Sequence, residues 1–241
     1  MPQGFFKLLA GLPHKPIPLV VHLIAESAIR ESWRRLRHNP PAGFNIETAH
    51  EDVVTHELQK VLHGEVFNSK EAEGYTSEFF APPVREAKWE NFNGRKRDLM
   101  PDLFFSLVGR PKAGIPWQDG LFVECKPVGR KHPAGSAYCD AGIIRFVRGD
   151  YAWAMTSAMM VGYASDGYNI SPKLEEALGA RARKIPTLAK PKHCRRSRAT
   201  PVSERTYFSE HRRTFKYVQT KVAAPSITIR HLWLKRDATL L

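Results

Sequence analysis

Cysteine is scarce in this chain, with Cys125, Cys139 and Cys194 the only three in 241 residues. An odd number at scattered spacing excludes a disulfide framework. His193-Cys194 has no second pair at finger spacing, which excludes a structural zinc finger. Long hydrophobic runs are missing as well. None approaches the roughly 18 apolar residues of a membrane span, and Met1 to Leu9 carries no convincing cleavage site. A cytoplasmic protein with no membrane association is therefore expected. The chain also lacks a Gly-x-x-x-x-Gly-Lys phosphate loop, a Gly-x-Ser-x-Gly elbow and a His-Glu-x-x-His helix. Finally, acid is in short supply. There are 24 Asp and Glu against 37 Lys and Arg, giving a net charge of +13 and a pI near 9.8. Such an excess favours polyanions, nucleic acid first.

What is present suffices for a folded core, since 42% of residues are apolar and 25% charged. Residues 1–17 read as an arm punctuated by Pro and Gly. Leu19 to His38 has helical spacing and a basic end, and Asn39-Pro40-Pro41 stops it. A second helix is expected from Thr48, with Thr48 and Glu51 as a capping box and His63-Gly64 as its close. Val84 to Trp89, Leu103 to Val108 and Leu121 to Val128 read as a meander of about three strands, with a turn at Asn93-Gly94. Tyr151 to Val161 reads as a buried helix, and Ser171-Pro172 opens another. Residues 181–200 read as a basic, mobile loop that forms no core element. Ser226 to Leu234 is expected to be the last strand. The division expected is an arm and amphipathic helix over 1–45, then one domain over 46–241.

One stretch carries chemistry. Pro101-Asp102 stands at the mouth of one apolar strand, and Glu124-Cys125-Lys126 lies inside the next. Alternation puts Glu124 and Lys126 on one face and turns Cys125 away. Pairing of the two strands would bring Asp102 near Glu124. Two carboxylates and a lysine on one sheet face suit a hard divalent cation and an activated water.

This pattern resembles the PD-(D/E)xK motif of the restriction-endonuclease-like nucleases. The resemblance covers the centre of the chain, from the helix at Thr48 to about Ala164. It implies an α/β fold with a mixed sheet of about four strands flanked by helices, here with an N-terminal helical extension. It also implies a Mg²⁺- or Mn²⁺-dependent deoxyribonuclease. Asp102, Glu124 and the backbone carbonyl of Cys125 would then hold the metal, and Lys126 would orient or deprotonate the attacking water. Family members often add a glutamate from the preceding helix. Glu51 and Glu57 both qualify; Glu51 is preferred, although its capping role competes. A setting in bacterial restriction or anti-phage defence follows from the same resemblance, with a partner subunit or a homodimer. The rival is a non-catalytic nucleic-acid-binding subunit on the same fold.

Further candidates are basic. Arg145 follows the Glu-x-Lys strand at a place suited to substrate contact, and Arg130 and Lys131 sit in the loop Gly129 to Gly135. His211, Arg212 and Arg213 precede an aromatic pair, Phe215 and Tyr217, a mixture that suits a nucleic-acid groove but is read here as a charged helix shoulder. Asp98 is expected to pair with Arg95 or Arg97 rather than to join the site.

Overall fold

A computed structural model describes residues 11–82, 84, 88–110, 115–180, 185–193 and 205–237. The elements in order are helices α1 (Leu19–His38) and α2 (Glu51–Val61), strands β1 (Leu103–Ser106) and β2 (Gly120–Val128), helix α3 (Ile144–Arg148), strand β3 (Ser157–Ala164), helix α4 (Ile170–Gly179), and strands β4 (Thr187–His193), β5 (Tyr207–His211) and β6 (Ile227–Lys235). Two π-helical segments, Leu62–Val66 and Ala134–Ile143, run into or out of these helices. The fold is α/β, a mixed six-stranded sheet in the order β1-β2-β3-β6-β5-β4 flanked by helices. The central pairs β2–β3 and β3–β6 are parallel; β1–β2, β5–β6 and β4–β5 are antiparallel. No helix among the described residues is long and apolar enough to cross a membrane.

Six strands replace the four or so expected: β3, β4 and β5 are strands the sequence reading does not anticipate, and the strand expected over Val84 to Trp89 is not one of the six. Met155 to Val161 does not continue a helix. Ser157–Ala164 is β3, at the middle of the sheet, with every residue after Ser157 buried. Parallel strands covered on both faces read as unbroken apolar runs, so periodicity alone does not separate them from a buried helix. The basic stretch 181–200 is not a loop throughout either, because Thr187–His193 pairs with β5 as the outermost strand. Its lysines and Pro191 are residues that sheets place on exposed edges. Residues 181–184 and 194–200 lie outside the described residues. The expected last strand does form, as β6, but it lies inside the sheet rather than at its margin.

Smaller differences are local. The strand expected over Val84 to Trp89 falls partly outside the described residues; Val84 and Trp89 themselves bridge Phe104 and Leu99. Asn93-Gly94 does turn the chain, with Gly94 at φ +68° and its N–H donating to the Asn91 carbonyl at 3.0 Å. The capping box at Thr48 does not form. Helix α2 starts at Glu51, and His50 is its cap, with Nδ1 accepting from the Asp52 N–H. The close expected at His63-Gly64 is replaced by a π-helical turn that carries on to Val66.

One apolar core joins α1, α2, the π-helical segments and both sides of the sheet. Helix α1 buries Ala25, Ala28, Ile29, Trp33 and Leu36, spaced three, four and seven apart, and stacks Trp33 on Tyr163 of β3 at 5.5 Å. The segment Ala134–Ile143 lies against β2 close enough that a Cβ on Gly142 would stand 2.5 Å from Met160 and 3.4 Å from the Lys126 stem. It runs directly into α3 and so fixes where Arg145 emerges.

Candidate active site

The register of β1 against β2 builds the site. Leu103 pairs with Val123, so the residue before Leu103 falls opposite Glu124. Asp102 is held there by its Oδ2, which accepts the Cys125 backbone N–H at 2.5 Å. Along β2, Glu124 and Lys126 share the face of Met160 and Gly162, while Cys125 shares the opposite face with Val161 and Tyr163. Cys125 is fully buried there and offers this site no thiol.

Four of the proposed side chains meet at the Lys126 ammonium. Its Nζ stands 2.6 Å from Glu51 Oε1, 3.1 Å from Glu124 Oε1 and 3.8 Å from Asp102 Oδ2. Arg145 adds a second cation, with NH1 3.0 Å from the same Glu124 oxygen. Glu124 is almost completely buried, and its Oε2 has no hydrogen-bond partner among the described residues.

Burial and crowding set the charge states. Desolvation pushes the Glu124 carboxyl well above its ordinary range, and repulsion from Asp102 adds to this. Asp102 is raised for the same first reason, against the pull of Lys126 and the Cys125 N–H. Burial alone would lower the Lys126 pKa. The Glu124, Asp102 and Glu51 carboxylates outweigh it and hold the ammonium above its usual value. The carboxylates around Lys126 therefore favour its charged ammonium form. This state suits the orienting role.

The structure separates the remaining candidates. Glu51 reaches Lys126 from the first turn of α2, whereas Glu57 lies further along the same helix and pairs with Lys60 at 2.8 Å. Arg130 and Lys131 are exposed in the loop after β2; the Arg130 N–H donates to Asp166 Oδ2. Asp98 is exposed and pairs with Lys88 at 3.0 Å, neither of the arginines expected. Of the basic-aromatic cluster, Arg213 is buried and donates to the Trp153 carbonyl, so it is a structural strut. His211 is buried as well, hydrogen-bonded to Ser209.

No family model, curated protein or solved structure matches the chain.

Sequence reasoning gave no role to Tyr151. Its hydroxyl accepts from Arg145 NH1 at 2.7 Å and donates to the Met100 carbonyl at 2.8 Å. The guanidinium carbon also lies 5.5 Å from the Tyr151 ring centroid. Tyr151 thus ties Arg145 to the backbone just ahead of Pro101-Asp102. The one available signal was a phenol set in an apolar run, which needs a partner for its hydroxyl when buried.

The donor set fits a hard cation. Among the described residues no three His, Cys, Asp or Glu side chains stand together at metal-ligand spacing. Mg²⁺ does not require that, because it keeps several waters and takes one or two carboxylates. Asp102 and Glu124 supply two, and the unpartnered Glu124 Oε2 is a buried acceptor that a cation would satisfy.

Proposed function

We propose that this chain is a metal-dependent nuclease of the PD-(D/E)xK type that hydrolyses phosphodiester bonds in DNA. The observation that carries the reading is the meeting of Asp102, Glu124 and Glu51 around Lys126 on a β1–β2 pair, beside Arg145. A basic excess of +13 supports a polyanionic substrate. The restriction-endonuclease-like core belongs to the same proposal. The mixed sheet supports it, with an antiparallel β1–β2 pair followed by parallel β3.

In this reading Asp102, Glu124 and the Cys125 carbonyl would hold Mg²⁺ or Mn²⁺. The ion supplies charge against a phosphoryl oxygen and lowers the pKa of a bound water. Hydrolysis forms a bond from the water oxygen to phosphorus and breaks the bond to one deoxyribose oxygen; the attacking water gives its proton to solvent, and the departing oxygen takes one up from solvent. Lys126 directs its N–H donors at the attacking oxygen and the phosphate, and Arg145 faces the charge that builds on the phosphoryl group. Tyr151 holds that guanidinium in place. Glu51 competes for Lys126 and sets where its ammonium rests. A restriction or anti-phage setting, with a partner subunit or a C₂ homodimer bringing two centres to two strands, belongs to the same proposal.

The second reading, a binding subunit without catalysis, is favoured by one observation: the Lys126 ammonium already pairs with Glu51 and Glu124. Incubation of the purified chain with labelled DNA separates the two. Cutting in Mg²⁺ or Mn²⁺ that stops in EDTA supports hydrolysis. Tight binding with no cutting in either metal supports the second reading.

A further inference from the structure

A pocket of about 240 Å³ opens beside the Asn93-Gly94 turn. Its walls are aromatic and amide. Trp153 is buried and fixed, its Nε1 donating to the Glu90 carbonyl at 3.0 Å. Phe92 stacks on Phe215 at 4.5 Å. Trp117, by contrast, is 54% exposed at the edge of the same pocket. A rigid aromatic floor with one free indole at the rim is a stacking platform.

The polar groups suit a base edge. Asn91 and Asn93 turn their Oδ1 atoms onto backbone N–H groups of Lys96 and Arg95, both at 3.1 Å. Each amide is thereby oriented. The exposed Glu90 carboxylate adds an acceptor on the same lining. The volume falls below the roughly 300–1,000 Å³ of drug-sized sites, which is room for one flat ring system and not for a chain.

Basic residues close in sequence to the lining point to what carries the ring. Arg95 and Arg97 follow the turn and are exposed, as are Arg148, Lys216 and Lys221 on neighbouring segments. The pocket is also tied to the candidate active site. The Phe92 N–H donates to the Gly149 carbonyl at 3.1 Å, and the Asp150 N–H donates to the Arg145 carbonyl at 2.8 Å. One short turn therefore carries Arg145 at one end and the pocket wall at the other.

From these observations we infer that the pocket takes one unstacked nucleobase of a single-stranded nucleic acid whose phosphates run along the basic rim. This rests on the nucleic-acid part of the function proposed above and not on its hydrolytic part.

The test is fluorescence anisotropy of a labelled single-stranded DNA oligonucleotide in EDTA, with wild type and Trp117→Ala. An abasic strand of equal length serves as the second probe. Trp117 is exposed, and circular dichroism checks that the variant folds. Base stacking on one aromatic is worth a fold-change of roughly 5 to 150. The inference expects Trp117→Ala to weaken binding of the base-bearing strand by that factor, and both proteins to bind the abasic strand alike. Equal affinity of both proteins for the base-bearing strand overturns it, as does wild type binding the abasic strand equally well. A Trp117 effect without any cleavage in Mg²⁺ supports the pocket and removes the hydrolytic reading. Cleavage without a Trp117 effect does the reverse.

Discussion

At Lys126 one ammonium serves three carboxylates, and little water reaches any of them. Removing one partner of such a set leaves uncompensated buried charge, at a cost of about 3–5 kcal/mol. Lys126→Ala is therefore expected to lower the denaturant midpoint sharply in EDTA. Mg²⁺ should recover part of that loss, because a cation would again balance Asp102 and Glu124; a midpoint indifferent to Mg²⁺ would argue against metal at these residues. Tyr151→Phe probes the positioning of Arg145. It removes one hydroxyl that serves two partners, so about 1–3 kcal/mol of stability should go, with cleavage slowed roughly tenfold. A kinetic readout distinguishes this from mere loosening, since kcat should fall while DNA affinity holds. Asp102 and Glu124 were legible in the sequence because strand alternation and antiparallel pairing leave few ways to arrange them. Glu51 is preferred to Glu57 only through the family resemblance, since both flank the same apolar stripe of α2. Only the packing of that helix decides which one reaches Lys126. Tyr151 was silent because its partners, Arg145 and the Met100 carbonyl, are brought to it by the fold.

Among the elements, β3 carries most of the lesson. Its composition, Ala-Met-Met-Val-Gly-Tyr-Ala, is that of a buried segment, and length with apolarity does not say whether the segment coils or extends. The sheet decides, because β2 and β6 each offer a full parallel edge to β3. Gly162 is the residue that could have hinted at this. A Cβ there would stand 2.5 Å from Trp233 of β6, a close approach of the kind that marks a glycine inside a strand. Gly162→Val should therefore cost about 1–3 kcal/mol through overpacking. A wild-type midpoint for this variant would mean that Trp233 does not lie against β3. The edge strand β4 was illegible for the opposite reason. Its lysines and proline describe a solvated strand and a loop equally well, and only the pairing with β5 distinguishes them.

Among the described residues four histidines outside the site are buried, His14, His22, His211 and His231. His22 hydrogen-bonds Ser157 at 3.1 Å, while His211 and His231 share Ser209 at 2.6 and 2.7 Å. Burial lowers His22 and His211 to about 4 and holds His231 well below its ordinary value, with Arg230 adding to the shift at His22 and His231. An unfolded histidine binds its proton near 6.5, so between pH 6.5 and 4 the unfolded state binds more protons. The histidine contribution is thus complete above pH 6.5 and lost on acidification, by on the order of 3 kcal/mol for a residue shifted as His22 is. Asp102 and Glu124, raised by burial, act in the opposite sense. Comparison therefore isolates the effect: urea midpoints from pH 7 to 4 should fall less steeply in His22→Gln than in wild type. Equal slopes would contradict the buried neutral state of His22.

The claim at the centre of this account is that Glu124 and Lys126 act in phosphodiester hydrolysis. Single-turnover cleavage of labelled DNA in Mg²⁺, with wild type, Glu124→Gln and Lys126→Ala at saturating protein, tests it most directly. The account predicts cleavage by wild type and a loss of about 10²–10³-fold or more in each variant, with DNA still bound. Cleavage by both variants at the wild-type rate would contradict it.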